Sequence, residues 1–340
     1  MGCEVNVLGV RGATCGVQRA GCSARGAEYK VNVLGRGPVR GVEWGKGTSV
    51  ARDCPRWPRR PGEPRGVRSD IAACNRLPRH DYVTCTVVPH ATIGGMVTPK
   101  VLIMQHVPWE RPGRILSNLE DLGIQAVTVN IAKQKKPDLP DFKELAGVVI
   151  MGGPMGALDY DNYPGLKAEA KLAKAAVSVG KPVLGVCLGH QIIATALGAQ
   201  LRKGDAPEIG FAPIKRMEKH DYFSMWDKQM NVLHWHNDVV GLPEGADLLA
   251  RSTGTKVQAF RFGSALGLQF HLEVCGSLLD EWLEEPSMVK DLKAAGGSKT
   301  QLREQFAQYD PLLLPLAEQV FSGFAARCNA YAQTLGAAQA

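Results

Sequence analysis

From Lys100 onward, short unbroken apolar runs alternate with segments of helical period. Lys100-Val101-Leu102-Ile103-Met104-Gln105 predicts a first strand, and Gly113–Leu122 a helix stopped by Gly123. Ile124–Asn130 and Ala146–Met151 follow as strands, Gly165–Val179 as a helix, Lys181–Val186 as a strand and Leu188–Leu197 as a helix. Runs that are apolar at every position suit strands covered on both faces. Helices between them imply a parallel sheet with a helical layer on each side. The expected fold is therefore α/β, a doubly wound, mostly parallel sheet flanked by helices.

The texture then changes. Ile209–Met217, Asn231–Trp235, Val257–Phe262 and Ala265–Phe270 predict shorter strands, the last two forming a hairpin across Gly263-Ser264. From Ser277 to the end the period is helical, with breaks expected at Pro286, Gly296-Gly297 and Pro311. Before Met96 no period is sustained, although Val5-Asn6-Val7-Leu8-Gly9 returns as Val31-Asn32-Val33-Leu34-Gly35. Prolines repeatedly interrupt residues 51–68. Residues 1–95 are expected to be disordered or absent from the mature protein, since such a composition buries no core. An α/β domain over 96–285 and a C-terminal helical extension over 286–340, packed on that domain, are expected to follow.

Charge and cysteine sharpen this division. The 340 residues carry a formal net charge of +7, but residues 1–95 hold 15 Lys and Arg against 7 Asp and Glu, which leaves residues 96–340 at −1. The basicity therefore implies no nucleic-acid partner for the main domain; only a basic arm could supply one. Cys3, Cys15, Cys22, Cys54, Cys74 and Cys85 lie in the arm without a C-x-x-C pair, and only Cys187, Cys275 and Cys328 follow. That is no disulfide framework and suits a reducing compartment, so a cytoplasmic protein is expected. No apolar run approaches the roughly 18 residues of a membrane span.

Candidate chemistry centres on Gly185-Val186-Cys187-Leu188-Gly189. A buried strand, a sharp turn bearing a nucleophile and a helix form the nucleophile-elbow pattern, here with cysteine. The helix start directs N–H groups and a positive dipole end at the sulfur, which favours thiolate. Taken alone the pentapeptide is weak, because most cysteines only pack. Three other stretches bear on it. In Gln269-Phe270-His271-Leu272-Glu273, alternation places His271 and Glu273 on one side, so the carboxylate could orient the imidazole toward a thiol. Gly152-Gly153-Pro154 after a buried strand leaves backbone N–H groups free for an oxyanion. His234-Trp235-His236-Asn237-Asp238 has the form of a metal site but lacks a further His or Cys at useful spacing, so no metal is expected.

These stretches, with Glu208-Ile209-Gly210, resemble in order the motifs of the class I glutamine amidotransferase family, most closely stand-alone members similar to the glutaminase domain of GMP synthase. The resemblance spans residues 100 to about 285. It implies a flavodoxin-like fold and a Cys187–His271–Glu273 triad without cofactor. Cys187 would attack the γ-carbonyl of glutamine or a γ-glutamyl conjugate and form a thioester. It further implies an oxyanion hole at the Gly153 and Leu188 N–H groups, and glutamine contact by Gln191. Leu272 stands where many members carry Pro, with the spacing kept. No ATP-pyrophosphatase loop follows Glu273, so the chain would either feed ammonia to a separate synthase in trans or hydrolyse a γ-glutamyl bond outright. The alternative is a non-catalytic interaction protein on a relict fold, with the basic arm contacting nucleic acid. An intracellular-protease relative ranks below both, because that branch lacks the Gln-Phe-His-x-Glu block.

Overall fold

In the computed structural model the described residues are 100–217 and 220–337, with two short strands, Glu4–Asn6 (β1) and Thr84–Thr86 (β2). The chain divides into two units, Met1–Gly94 and Gly95–Ala340. In the first, β1 pairs antiparallel with β2. The other expectations for residues 1–95 lie outside the described residues.

In the second unit, β3 (Lys100–Gln105) pairs in parallel with β4 (Gln125–Asn130) on one side and β5 (Leu145–Ile150) on the other. β6 (Val183–Val186) lies beside β5, and β11 (Ala265–Leu268) beside β6, both parallel. Beyond β11 the sheet turns antiparallel through β10 (Ala259–Phe262), β9 (Asp247–Arg251), β7 (Leu201–Arg216) and β8 (Gln229–Val240). The sheet is therefore mixed, with strand order β4-β3-β5-β6-β11-β10-β9-β7-β8. Gly263 and Ser264 alone link β10 to β11, a hairpin connection that makes antiparallel neighbours.

Alternation along β3 builds both layers. Val101 and Ile103 face a core shared with Ile115 and Leu119 of α1 (Arg114–Asp121) and with Phe321 and Phe324 of α6 (Lys299–Ala337). Leu102 and Met104 face the opposite core, with Leu166 of α2 (Gly165–Ser178) and Ile192 and Ile193 of α3 (Leu188–Ala196). A third cluster gathers Leu233 and Trp235 of β8 with Trp282 of α4 (Gly276–Glu284) and Met288 and Leu292 of α5 (Pro286–Ala294).

The helical breaks at Pro286 and Gly296-Gly297 stand, with Pro286 opening α5. The break expected at Pro311 does not occur: α6 runs through Pro311 and Pro315. Both prolines are exposed, so the carbonyls they deprive of a partner face water. Leu302 on one side and Leu313, Leu316, Ala317 and Val320 on the other anchor the helix by burial. β9 was not expected, and β7 and β8 extend well beyond their apolar cores, because hairpin pairing carries polar residues such as Arg202, Lys203 and Asp238 into the ladder.

Candidate active site

The elbow forms as the glycine pattern requires. Cys187 closes β6 and caps α3 with φ 53° and ψ −105°, alone among described non-glycine residues in positive φ. A Cβ on Gly185 would lie 2.5 Å from the Gly189 backbone, and one on Gly189 would collide with the Ile150 carbonyl. Strand and helix therefore touch at backbone distance. The Cys187 N–H donates to the Leu268 carbonyl (2.8 Å), which ties the nucleophile strand to β11, the strand that leads to His271.

Cys187 meets a His271–Glu273 pair from a distant part of the sequence here. Nδ1 of His271 donates to Oε1 of Glu273 at 2.7 Å, with both side chains at most 2% exposed. Nε2 of His271 has no hydrogen-bond partner among the described residues, the Cys187 thiol donates to the Trp235 carbonyl (3.5 Å), and His271 pulls the thiol pKa downward. The ring is fixed from other sides too. Its backbone N–H donates to the Leu233 carbonyl (2.8 Å), and Trp282 stands edge-on at 4.9 Å. The carbonyl of Glu273 accepts from the Arg114 N–H (3.0 Å) at the start of α1.

Electrostatics modify one expectation. Burial pushes the Cys187 thiol up, against the pull of His271, and the carboxylates of Glu110 and Glu273 push the same way. Cys187 is only 6% exposed, and in that surrounding the loss of hydration outweighs what favours thiolate. Burial alone would lower His271, but Glu273 and the neighbouring sulfur hold its pKa well above the usual imidazole value. Both groups therefore hold their protons more tightly than the free side chains do.

The backbone N–H groups of Gly153 and Leu188 have no backbone partner among the described residues. A Cβ on Gly153 would lie 2.9 Å from Cδ2 of Leu188, so the Gly-Gly-Pro turn packs on the first residue of α3. Gln191 is buried one helical turn after Cys187, its Nε2 donating to the Asp238 carbonyl (3.0 Å) and to Oε1 of Gln269 (3.1 Å).

His234 and His236 do acquire a third group. Glu208 of β7 joins them, and one ligand atom from each lies within 4.8 Å of the others. Strand pairing of Glu208 with His236 makes the cluster, a partnership that spacing within one segment could not disclose. Oε1 of Glu208 accepts from Ser252 (2.7 Å), and Oε2 from Thr255 (2.6 Å) and Gln258 (2.9 Å). Nε2 of His236 stands 3.2 Å from the same Oε2. The carboxylate is satisfied without an ion.

Sequence reasoning missed three ionisable groups around the site. Glu110 is buried, and burial pushes its pKa up to about 7 against the pull of His271 and His106. His106 and Glu169 form a fully buried pair at 2.8 Å. The available signal was position: His106 and Glu110 follow directly on the carboxyl end of a buried strand, where sites of open α/β sheets gather.

The family model for glutamine amidotransferase class-I matches residues 113–288, more than half of the chain. The glutamine amidotransferase-like protein YfeJ of Salmonella typhimurium is 33% identical over 183 residues, covering 51% of this chain and 75% of that protein. A glutamine-hydrolysing GMP synthase subunit of Sulfolobus acidocaldarius is 33% identical over 163 residues, 47% of this chain and 82% of that one. A crystal structure of a glutamine amidotransferase from Thermotoga maritima superposes with a TM-score of 0.62 at 28% identity, covering 67% of this chain and 98% of that chain. The chain belongs to the class I glutamine amidotransferase family.

Proposed function

We propose that the protein hydrolyses the γ-amide of glutamine or of a γ-glutamyl conjugate through a thioester on Cys187. One observation carries the reading: a buried imidazole held by Glu273 at 2.7 Å leaves its second nitrogen unpartnered and pulls down the pKa of a thiol set on a strained elbow. Nε2 of His271 takes the thiol proton as Sγ bonds to the γ-carbon, and the carbonyl π pair becomes an oxyanion met by the Gly153 and Leu188 N–H groups. The oxyanion collapses, the C–N bond breaks, and the imidazolium gives its proton to the leaving ammonia or amine. Water then adds to the thioester, losing a proton to His271, and the C–S bond breaks to release the γ-carboxyl product and return the proton to sulfur. Glu273 keeps Nδ1–H in place throughout and steadies the imidazolium. Gln191 contacts the glutamyl group.

Residues 96–285 form the catalytic domain in this reading, with residues 286–340 a helical extension packed on it. Because relatives include proteins named as parts of GMP synthase, ammonia delivery to a separate synthase in trans belongs to the same proposal. Cytoplasmic residence would keep the free thiols of Cys187, Cys275 and Cys328 reduced. No helix of the described residues is long and apolar enough to cross a membrane.

The test is product release by the full chain from glutamine, γ-glutamylated amines and glutathione-type conjugates, beside Cys187→Ala. Turnover that falls by about 10³-fold or more in the variant is expected. Undiminished turnover in Cys187→Ala would sink the reading.

A further inference from the structure

The Gly-Gly-Pro turn contains two consecutive residues without side chains, so the Gly152–Gly153 peptide has little intrinsic preference between its two facings. Something must hold it if its N–H is to meet an oxyanion. We propose that His106 and Glu169 are a positioning pair that locks this peptide in its donating orientation and polarises it. The inference rests on the hydrolase reading above.

The geometry is a buried relay from α2 to the turn. Oε2 of Glu169 accepts from Nε2 of His106 at 2.8 Å, and Nδ1 of His106 donates to the Gly152 carbonyl at 2.8 Å. Both side chains are fully buried. A carbonyl can only accept, so Nδ1 must carry a proton. Burial alone would lower the His106 pKa, but Glu169 and the Gly152 carbonyl raise it above the usual imidazole value. The Gly152 carbonyl therefore takes its hydrogen bond from a ring whose other nitrogen is paired with a buried carboxylate.

A trans peptide points its C=O and N–H in opposite directions. A ring that pins the Gly152 carbonyl thereby fixes the Gly153 N–H on the other side. A strong hydrogen bond to that carbonyl also draws electrons through the amide and makes its N–H a stronger donor. The β-carbon of His106 lies 3.0 Å from where a Gly153 side chain would begin, so the ring also blocks a shift of the turn toward β3. Both ring nitrogens of His106 are taken up by the Gly152 carbonyl and Glu169, so the pair acts through the peptide.

A purely structural pair would only staple β3 to α2, and kinetics separate the two roles. In His106→Asn the amide nitrogen replaces Nδ1 toward the carbonyl while contact with Glu169 is lost. His106→Leu loses both contacts. Glu169→Gln keeps an acceptor for Nε2 and removes the charge. Each full-length variant is assayed well below its own melting temperature for kcat and KM. Affinity for glutamate γ-semialdehyde, whose adduct with Cys187 places an oxygen in the hole, is compared with affinity for glutamate. His106→Leu is expected to lower kcat by about 10²-fold, the scale of one oxyanion donor, with KM within about twofold. Semialdehyde affinity falls by a similar factor and glutamate affinity holds. His106→Asn recovers about tenfold of the lost kcat, and Glu169→Gln loses severalfold. If His106→Leu does not fold, His106→Asn and Glu169→Gln carry the test by the same split.

Full kcat in folded His106→Leu and Glu169→Gln, or equal losses in kcat and glutamate affinity, overturns the pair's role while leaving the hydrolase standing. Wild-type protein that neither turns over substrate nor binds the semialdehyde through Cys187 overturns the hydrolase reading, and the pair's role with it.

Discussion

The carboxylate of Glu110 occupies the space where a side chain on Gly152 would begin. A Cβ built there collides with Oε2 of Glu110 and comes 3.5 Å from Cε1 of His271. The turn and the catalytic imidazole are thus packed around one acid, and glycine at 152 is what admits it. Gly152→Ala should destabilise by about 1–3 kcal/mol, the range for overpacking a filled site. Glu110→Ala made in the same chain removes the obstacle and should restore most of that loss. Thermal melts of the four-member cycle measure the coupling; additive effects would contradict the steric account.

Glu110 also sets a pH dependence. Burial raises its pKa from 4.5 to about 7, with Glu273 adding to the rise and His271 and His106 opposing it. The folded protein therefore holds a proton that the unfolded chain releases near 4.5, and stability falls as pH climbs from about 4.5 to about 7. Glu110→Gln cannot lose that proton. Its melting temperature should gain on wild type by several degrees at pH 8 relative to pH 5, on the order of 3 kcal/mol. An equal difference at both pH values would show that Glu110 is not held protonated.

Much of this arrangement was written in local pattern. The continuous apolar runs of β3, β5 and β6 marked a sheet covered on both faces, and Gly-x-Cys-x-Gly encoded the backbone contact between Gly185 and Gly189. His271 and Glu273 do pair, but β11 ends at Leu268, so they meet in an irregular stretch beyond the strand rather than by strand alternation. What local pattern hides is partnership across the fold. Glu208 meets His236 through the β7–β8 register, and His106 meets Glu169 across 63 positions. The exposed prolines of α6 mislead for a related reason, since burial on the opposite side of the helix overrides a local breaker. The thiol pKa is likewise a property of assembled surroundings: the helix start and Glu273 were visible, while Glu110 and the burial were not.

Cys187 pays in stability for its position. Positive φ with ψ −105° is unfavourable for any residue with a Cβ, by about 1–3 kcal/mol. Both Cys187→Ala and Cys187→Gly should lack thioester chemistry. The usual order, in which alanine is the more stable, should reverse, with Cys187→Gly melting higher by about 1 kcal/mol in equivalent stability. Denaturant midpoints of the two variants decide this. A higher midpoint for Cys187→Ala would mean that the elbow relaxes and stores no strain.

Glu208 offers a contrasting case, an acid whose folded pKa is depressed. Burial opposes the shift, but hydrogen bonds from His236, Thr255 and Ser252 overcome it and bring the carboxyl down from 4.5 to about 2. Its contribution to stability is present above the unfolded value and lost as pH falls from about 4.5 toward about 2. Glu208→Gln should lower stability at pH 7 by about 2–4 kcal/mol and flatten the acid limb of the stability curve. A metal ion at Glu208, His234 and His236 would predict a different outcome, since zinc would then stabilise wild type steeply and a chelator would melt it. The hydroxyls of Ser252 and Thr255 and the amide of Gln258 already fill the carboxylate, so an ion would have to displace donors at 2.6–2.9 Å. Melting curves with added zinc and with EDTA should therefore superpose, while the pH 3 and pH 7 curves of wild type separate far more than those of Glu208→Gln.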